Sequence, residues 1–336
     1  MLRKIKVGIN GFGRIGRAAF KIASAKSNME VVAINDVMDA ETAAYLLKFD
    51  TIYGRYDRQV VYEGSNLIVD RRKIPLTAQK EPALIPWKNF KVDVVLECSG
   101  RFTKDGLARG HLTGGARKVI VSAPAKGGEV GTFLLGVNEE SYRGEDVISN
   151  ASCTTNCVAT VVKVLKEKFG IVKGMMTTVH AITAEQNLVD GPVPALHKDL
   201  RRARAAASNL VPTSSGSATD TAKVIKGLEG SFDAFAIRIP VAIGSVSDFT
   251  VLVKKKTTVE QVNHAFLEYA RKNPKILAVT NEPIVSSDII GDSHSAIVDL
   301  SLTKVIGGDL VKVLAWYDNE WGYSNRLVEE IEMVMK

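Results

Sequence analysis

The chain has 336 residues, 46% of them hydrophobic and 24% charged, with a formal net charge of +7. That is enough for two domains of ordinary globular composition, and the charge suits anionic substrates without indicating nucleic acid. No apolar run reaches bilayer length, the start lacks the apolar core of a signal peptide, and three cysteines are too few for a disulfide framework, so we expect a cytoplasmic protein with no membrane partner.

Ile5-Lys6-Val7-Gly8-Ile9 alternates and is β-rich, which predicts a strand. Asn10-Gly11-Phe12-Gly13-Arg14-Ile15-Gly16 follows, and Arg17 to Ala23 reads as a helix. G-x-G-x-x-G at a strand-to-helix turn fits a dinucleotide. Its glycines permit the tight turn, the approach of backbone to pyrophosphate, and helix–strand packing. Glu30 to Ile34 is a second strand, and Asp36 at its end lies at the distance expected of a ribose-binding acid. Its charge would repel a 2′-phosphate, which favours NAD; the alternative is a helix N-cap. Tyr62 to Pro75 reads as an inserted hairpin, Val92 to Glu97 and Val119 to Ser122 as strands, and Lys104 to His111 as helical. This β–α alternation predicts an α/β fold with a doubly wound sheet, and Ser99 and Ser122 are candidate cofactor neighbours beyond its strand ends. Cys98 reads as a small packed residue.

Ser149-Asn150-Ala151-Ser152-Cys153-Thr154-Thr155-Asn156-Cys157 follows an apolar run and opens a mostly apolar helix. A cysteine at a helix start faces unpaired N–H groups and the positive end of the macrodipole, both of which favour thiolate. Cys157 lies one turn deeper and reads as core. The spacing is not C-x-x-C and no second ligand pair exists, so we expect no metal. Met175 to Val179 is a strand that ends at His180. His180 either pairs with Cys153 or is an ordinary satisfied histidine.

Glu185 to Asn209 is long and irregular, with a basic run from His197 to Arg204. It reads as a solvated or subunit-contacting loop, as an arginine site for phosphate, or, least in keeping with its few aromatics, as a nucleic-acid patch. Pro212 to Ser217 is a hydroxyl-rich turn able to meet an anion. Arg238 sits in an apolar strand and needs a partner or ligand. Gly244 to Val251 and Leu310 to Tyr317 continue an antiparallel sheet, Val259 to Lys272 is an amphipathic helix, and Asp318 to Asn325 turns into the last helix.

Ser152 to Cys157, Gly8 to Arg17 and Trp316 to Ser324 resemble, in the same order and nearly end to end, the motifs of phosphorylating glyceraldehyde-3-phosphate dehydrogenases. The resemblance implies a Rossmann-type NAD domain of residues 1–152 plus 319–336. An α+β catalytic domain of residues 153–318 would carry a mainly antiparallel sheet, in a homotetramer. The implied reaction converts D-glyceraldehyde 3-phosphate, inorganic phosphate and NAD to 1,3-bisphosphoglycerate and NADH. Cys153 would form a hemithioacetal and then a thioester, with His180 as base. Carried over by position, Arg14, Ile15, Asp36, Lys80, Ser122 and Asn319 would join Asn10, Gly11, Phe12 and Gly13 in contacting NAD. Ser152, Thr154, Arg202, Ser215 and Gly216 would serve the attacking phosphate, and Thr183 and Arg238 the substrate phosphate. The chain departs from the family's pattern at Ser215 (usually Thr), at Ile182 (usually Tyr), in Ser217 to Thr221, and in the longer loop from Asp190 to His197. Erythrose-4-phosphate dehydrogenase, a semialdehyde dehydrogenase and a nucleic-acid-binding protein on the same fold are the competing readings.

Overall fold

The computed structural model describes residues 3–193 and 199–336, so Pro194 and His197 of the loop singled out above lie outside the described residues. The chain forms two compact units. The first comprises Met1–Leu134, Glu139–Ala151 and Ser324–Lys336, and the second Leu135–Asn138 and Ser152–Tyr323.

In the first unit β1 (Ile5–Asn10) leads through a glycine-rich turn to α1 (Arg14–Ala25) and then β2 (Met29–Asn35). Helix α2 (Ala40–Lys48) starts at Asp39, whose carboxylate accepts from Thr42 N. Two short strands, β3 (Phe49–Asp50) and β4 (Gly54–Arg55), pair with each other. The expected hairpin is a three-strand meander, β5 (Val60–Glu63), β6 (Asn66–Val69) and β7 (Arg72–Thr77). Then come β8 (Val94–Glu97), β9 (Lys118–Val121), β10 (Gly131–Thr132) and β11 (Val147–Ser149). The nine-stranded sheet runs β10-β11-β9-β8-β1-β2-β7-β6-β5. Every pair from β10 to β7 is parallel. Strands β1, β2, β8 and β9 are almost wholly buried, as a sheet covered on both faces requires. The helix expected from Lys104 to His111 is instead a 3-10 turn (Leu107–Arg109) running into one helical turn, α3 (Gly110–Thr113). Gly106 in the left-handed region and Gly110 and Gly114 leave too few helix-favouring residues for more. The last segment of this unit buries Leu327, Val328 and Ile331 completely.

The second unit opens with α4 (Cys153–Phe169), capped by Ser152 and stopped by Gly170 at φ +69. It continues through β12 (Ile171–His180), β13 (Val211–Ser214), α5 (Ser217–Val224), β14 (Phe232–Arg238) and β15 (Ser245–Val253). Helix α6 (Val259–Lys272), with a Thr258–Gln261 capping box, precedes β16 (Leu277–Thr280), β17 (Ala296–Ile306) and β18 (Leu310–Tyr317). The seven strands are ordered β13-β14-β12-β15-β18-β17-β16. Only β12–β14 and β16–β17 are parallel. One face packs on α4: Val158, Val161, Val162 and Leu165 share a core with Met176, Phe249, Val251, Val313 and Ala315. Cys157 belongs to that core, as its position one turn below Cys153 suggested. The chain ends in α7 (Trp321–Val334). Among the described residues no helix is long and apolar enough to cross a membrane, and no group of three His, Cys, Asp or Glu could hold a metal.

Candidate active site and cofactor turn

Within the first unit, parallel register brings the carboxyl ends of the central strands level. Asn10 stands beside Asn35 on one side and Glu97 on the other. Their side chains interlock: Asn10 Nδ2 donates to Glu97 Oε2 at 2.5 Å, and Asn35 Nδ2 donates to Asn10 Oδ1 at 2.8 Å. Glu97 also accepts from Ser99 N (2.8 Å) and lies 2.8 Å from His111 Nε2. Trp87 Nε1 donates to His111 Nδ1, so the ring hydrogen is on Nε2 and points at Glu97. The sequence reading gave His111 no role; its signal, a histidine and a carboxylate far apart in the chain, is invisible without the sheet.

Above this platform lies the glycine turn. Gly11 has φ +90, and a Cβ there would meet Ser99 N at 2.5 Å; at Gly16 one would meet Gly11 O at 2.0 Å. Around Gly13, by contrast, a Cβ would have nothing within 4 Å. The turn thus needs two of its glycines for its own packing and opens space at the third, which fits the approach of a pyrophosphate. Asp36 accepts from Phe12 N (2.5 Å) and Met38 N (2.9 Å) and does not cap α2. Arg14 is held by Asp50 at 2.5 Å and packs over Tyr53. Phe12 is fully buried and Ile15 half-buried. Lys80 is exposed beyond β7, and Ser122 follows β9 with its N–H on Glu97 O.

The second unit assembles the reactive groups. After β11 the backbone turns through Ala151, a non-glycine residue at φ +49, and Ser152 then caps the helix through Thr155 N. Cys153 is the first helical residue, with Sγ 3.6 Å from His180 Nε2. Strand β12 delivers His180 at its carboxyl end, and register places Arg238 of β14 beside it. Arg238 Nη1 reaches His180 Nδ1 (2.8 Å), Ala181 O (3.2 Å) and Thr183 Oγ1 (3.1 Å). Nη1 of the strand arginine thus has partners, while its buried Nε has none among the described residues. Tyr317 braces the site from β18. Its hydroxyl bonds Thr154 Oγ1 (3.0 Å) and Thr178 Oγ1 (2.7 Å), and its ring meets His180 edge-on at 6.0 Å. The sequence reading missed Tyr317; the buried, inward parity of β18 was the available signal.

Of the basic run, Arg201 is tied to Asp199 and Arg204 to Asp190 at the surface, whereas Arg202 is buried. Arg202 Nε donates to Thr213 Oγ1 at 2.9 Å, and its Nη1 lies 3.4 Å from Glu185. Glu185 also accepts from Thr183 Oγ1 at 2.6 Å. Glu185, to which the sequence assigned no role, sets one carboxylate beside Thr183 and Arg202. Ser215 Oγ bonds Ser217 Oγ at 2.8 Å, and the exposed Gly216 starts α5. Asn319 is buried, accepting from Gly244 N and Ser245 Oγ at 3.1 Å.

Opposed effects act on the sulfur. Burial pushes the Cys153 thiol above its ordinary pKa; Arg238 and the Thr154 hydrogen bonds pull it down by less. Backbone N–H groups at the helix start also pull it down, so burial and the helix terminus act in opposite directions on this sulfur. His180 is kept neutral, its pKa driven down to about 3 by burial and then by Arg238. The neutral ring has one nitrogen able to accept a proton from sulfur, while burial and Arg238 weaken it as a base.

Residues 5–105 match the NAD binding domain of glyceraldehyde 3-phosphate dehydrogenase, and residues 152–319 match the C-terminal domain of the same family. The chain belongs to the glyceraldehyde-3-phosphate dehydrogenase family. It is 52% identical over 341 aligned positions to the glyceraldehyde-3-phosphate dehydrogenase of Mycobacterium tuberculosis (strain ATCC 25618 / H37Rv), covering 99% of both chains. It is 51% identical, at the same coverage, to the enzyme of Mycobacterium avium. Glyceraldehyde-3-phosphate dehydrogenase 2 of Streptomyces avermitilis is 50% identical over 329 positions, 97% of each chain. The cysteine, the histidine and the glycine turn thus lie inside the matched family domains.

Proposed function

We propose that this chain oxidises D-glyceraldehyde 3-phosphate with NAD and inorganic phosphate, with Cys153 as nucleophile and His180 as base. The observation that carries the reading is the 3.6 Å approach of Cys153 Sγ to the neutral, buried His180. Sulfur adds to the aldehyde carbon as His180 Nε2 takes the thiol proton and returns it to the carbonyl oxygen; His180, neutral again, then takes that hydroxyl proton when the hydride leaves. NAD, when bound, supplies the hydride acceptor that turns the hemithioacetal into a thioester. Inorganic phosphate then displaces sulfur. Arg238 and Thr183 hold the substrate's phosphate. Arg202, Ser215, Gly216, Ser152 and Thr154 serve the attacking phosphate. Burial of Arg202 beside the Thr213 hydroxyl and the partly exposed Glu185 carboxylate supports its role.

Residues 1–152 with 319–336 form the NAD half and residues 153–318 the chemical half. Asn10, Gly11, Phe12, Gly13, Arg14, Ile15, Asp36, Lys80, Ser122 and Asn319 are the cofactor contacts. Asp36, acceptor-only and already oriented by two N–H groups, suits ribose hydroxyls and opposes a 2′-phosphate. A homotetramer is supported by the sheet face turned away from α4, where Met175 is 73% and Phe235 48% exposed. Three unpaired cysteines support a reducing, cytoplasmic setting.

The test is the initial rate of nicotinamide reduction with D-glyceraldehyde 3-phosphate, with and without phosphate, using NAD and NADP in parallel. Phosphate-dependent turnover preferring NAD is expected. Turnover with erythrose 4-phosphate alone would overturn the substrate assignment, and equal use of NADP would overturn the role of Asp36. Sedimentation velocity of the full chain checks the tetramer.

A further inference from the structure

We propose that Arg238 sets the tautomer of His180, so that an anion drawing Arg238 away readies His180 to act as a base. This rests on the reading above, in which His180 serves Cys153 and Arg238 takes the substrate phosphate. Two groups claim one ring nitrogen. Ala181 O lies 2.7 Å from His180 Nδ1 and only accepts, so it requires a hydrogen there. Arg238 Nη1 lies 2.8 Å from the same atom and only donates, so it requires a bare nitrogen. A neutral imidazole carries one N–H and satisfies one of them at a time.

The choice decides what Cys153 meets. With the hydrogen on Nδ1, the Nε2 lone pair faces Sγ at 3.6 Å and can take a proton. With Arg238 on Nδ1, the hydrogen is on Nε2, and the ring meets sulfur as a donor. Accepting a proton would then require breaking the Arg238 contact and forming an imidazolium beside a guanidinium. The two forms differ by no net proton, because Nδ1 gains what Nε2 gives up.

Arg238 is not fully satisfied in its present place. Nη1 is shared among three acceptors, and Nε is buried with no hydrogen-bond partner among the described residues. A phosphate offers the two-pronged partner that a guanidinium prefers. Once Arg238 turns to it, Ala181 O alone holds Nδ1, and the base form remains. Substrate phosphate would thereby select the working tautomer, and an unphosphorylated aldehyde would meet a site divided between two.

Nitrogen NMR of the full chain with ¹⁵N-labelled histidine reads this directly, the His180→Asn spectrum assigning the His180 signals. The probe is glycerol 3-phosphate, which has no aldehyde for Cys153 to attack. In the free protein we expect Nδ1 and Nε2 at averaged shifts between protonated and bare. Saturating ester should move Nδ1 to the protonated extreme and Nε2 to the bare one. Arg238→Gln should sit at that extreme with no ester present. Unchanged ring nitrogens at every ester concentration, or an Arg238→Gln spectrum with the wild-type mixture, would each overturn the proposal. The signature needs no turnover, so failure of the dehydrogenase reading would appear separately, as absent NAD reduction.

Discussion

At the residue scale the chemistry depends on two side chains with different debts to their surroundings. Cys153→Ser should abolish aldehyde oxidation while NAD still binds, because an alcohol buried at this position is a far poorer nucleophile and leaving group than a thiol. Measurable dehydrogenase activity above a few per cent would sink the covalent route. His180→Asn should slow turnover by roughly the 10²–10⁴-fold of a lost acid–base group, read in single-turnover kinetics so that chemistry and release are separated. Tyr317→Phe leaves two buried threonine hydroxyls, those of Thr154 and Thr178, without their shared partner. It should cost about 1–3 kcal/mol of stability, and an unchanged denaturation midpoint would show that the threonines find other partners. Cys153 and His180 were readable from sequence because each sits at an element's end, where side chains reach sites. Glu185 and Tyr317 were not, because one lies in an irregular loop and the other acts across strands.

At the element scale the glycine turn and the paired strands β12 and β14 do the positioning. Gly16→Ala would drive a methyl into the Gly11 carbonyl, a contact with backbone that no rotamer change relieves. It should destabilise the protein by roughly 1–3 kcal/mol and weaken NAD binding; calorimetric titration showing wild-type affinity would refute the packing role. These three glycines told their jobs in sequence because spacing alone separates turn, approach and packing. The neighbourhood of His180 and Arg238 did not, since it follows from parallel register between strands more than fifty residues apart. The helix expected from Lys104 to His111 shrinks to one helical turn for a local reason, the glycines Gly106, Gly110 and Gly114. The fate of the basic run was equally hidden. Three arginines with one chemistry part company only when Asp199 and Asp190 claim two of them.

At the scale of the whole molecule the buried histidine ties stability to pH. Its folded pKa, about 3, lies below the ordinary 6.5, so between those values the unfolded chain binds the extra proton. Stability therefore rises with pH through that window and is lost as pH falls from about 6.5. Comparing wild type with His180→Asn cancels the other titrating groups. The stability of wild type relative to the variant should fall by up to about 1.4 kcal/mol per pH unit below pH 6, measured by urea denaturation. A difference that stays flat would mean His180 gains its proton in the folded state.

The discontinuity of the first unit also sets an order of events in synthesis. Its sheet strands precede the second unit's main segment, but Leu327, Val328 and Ile331, which it buries completely, follow it. The early strands of the first unit are thus made before the segment that completes their core, with most of the second unit's chain made in between. The first unit therefore has its full set of buried residues only after the chain of the second, through Tyr323, has been made.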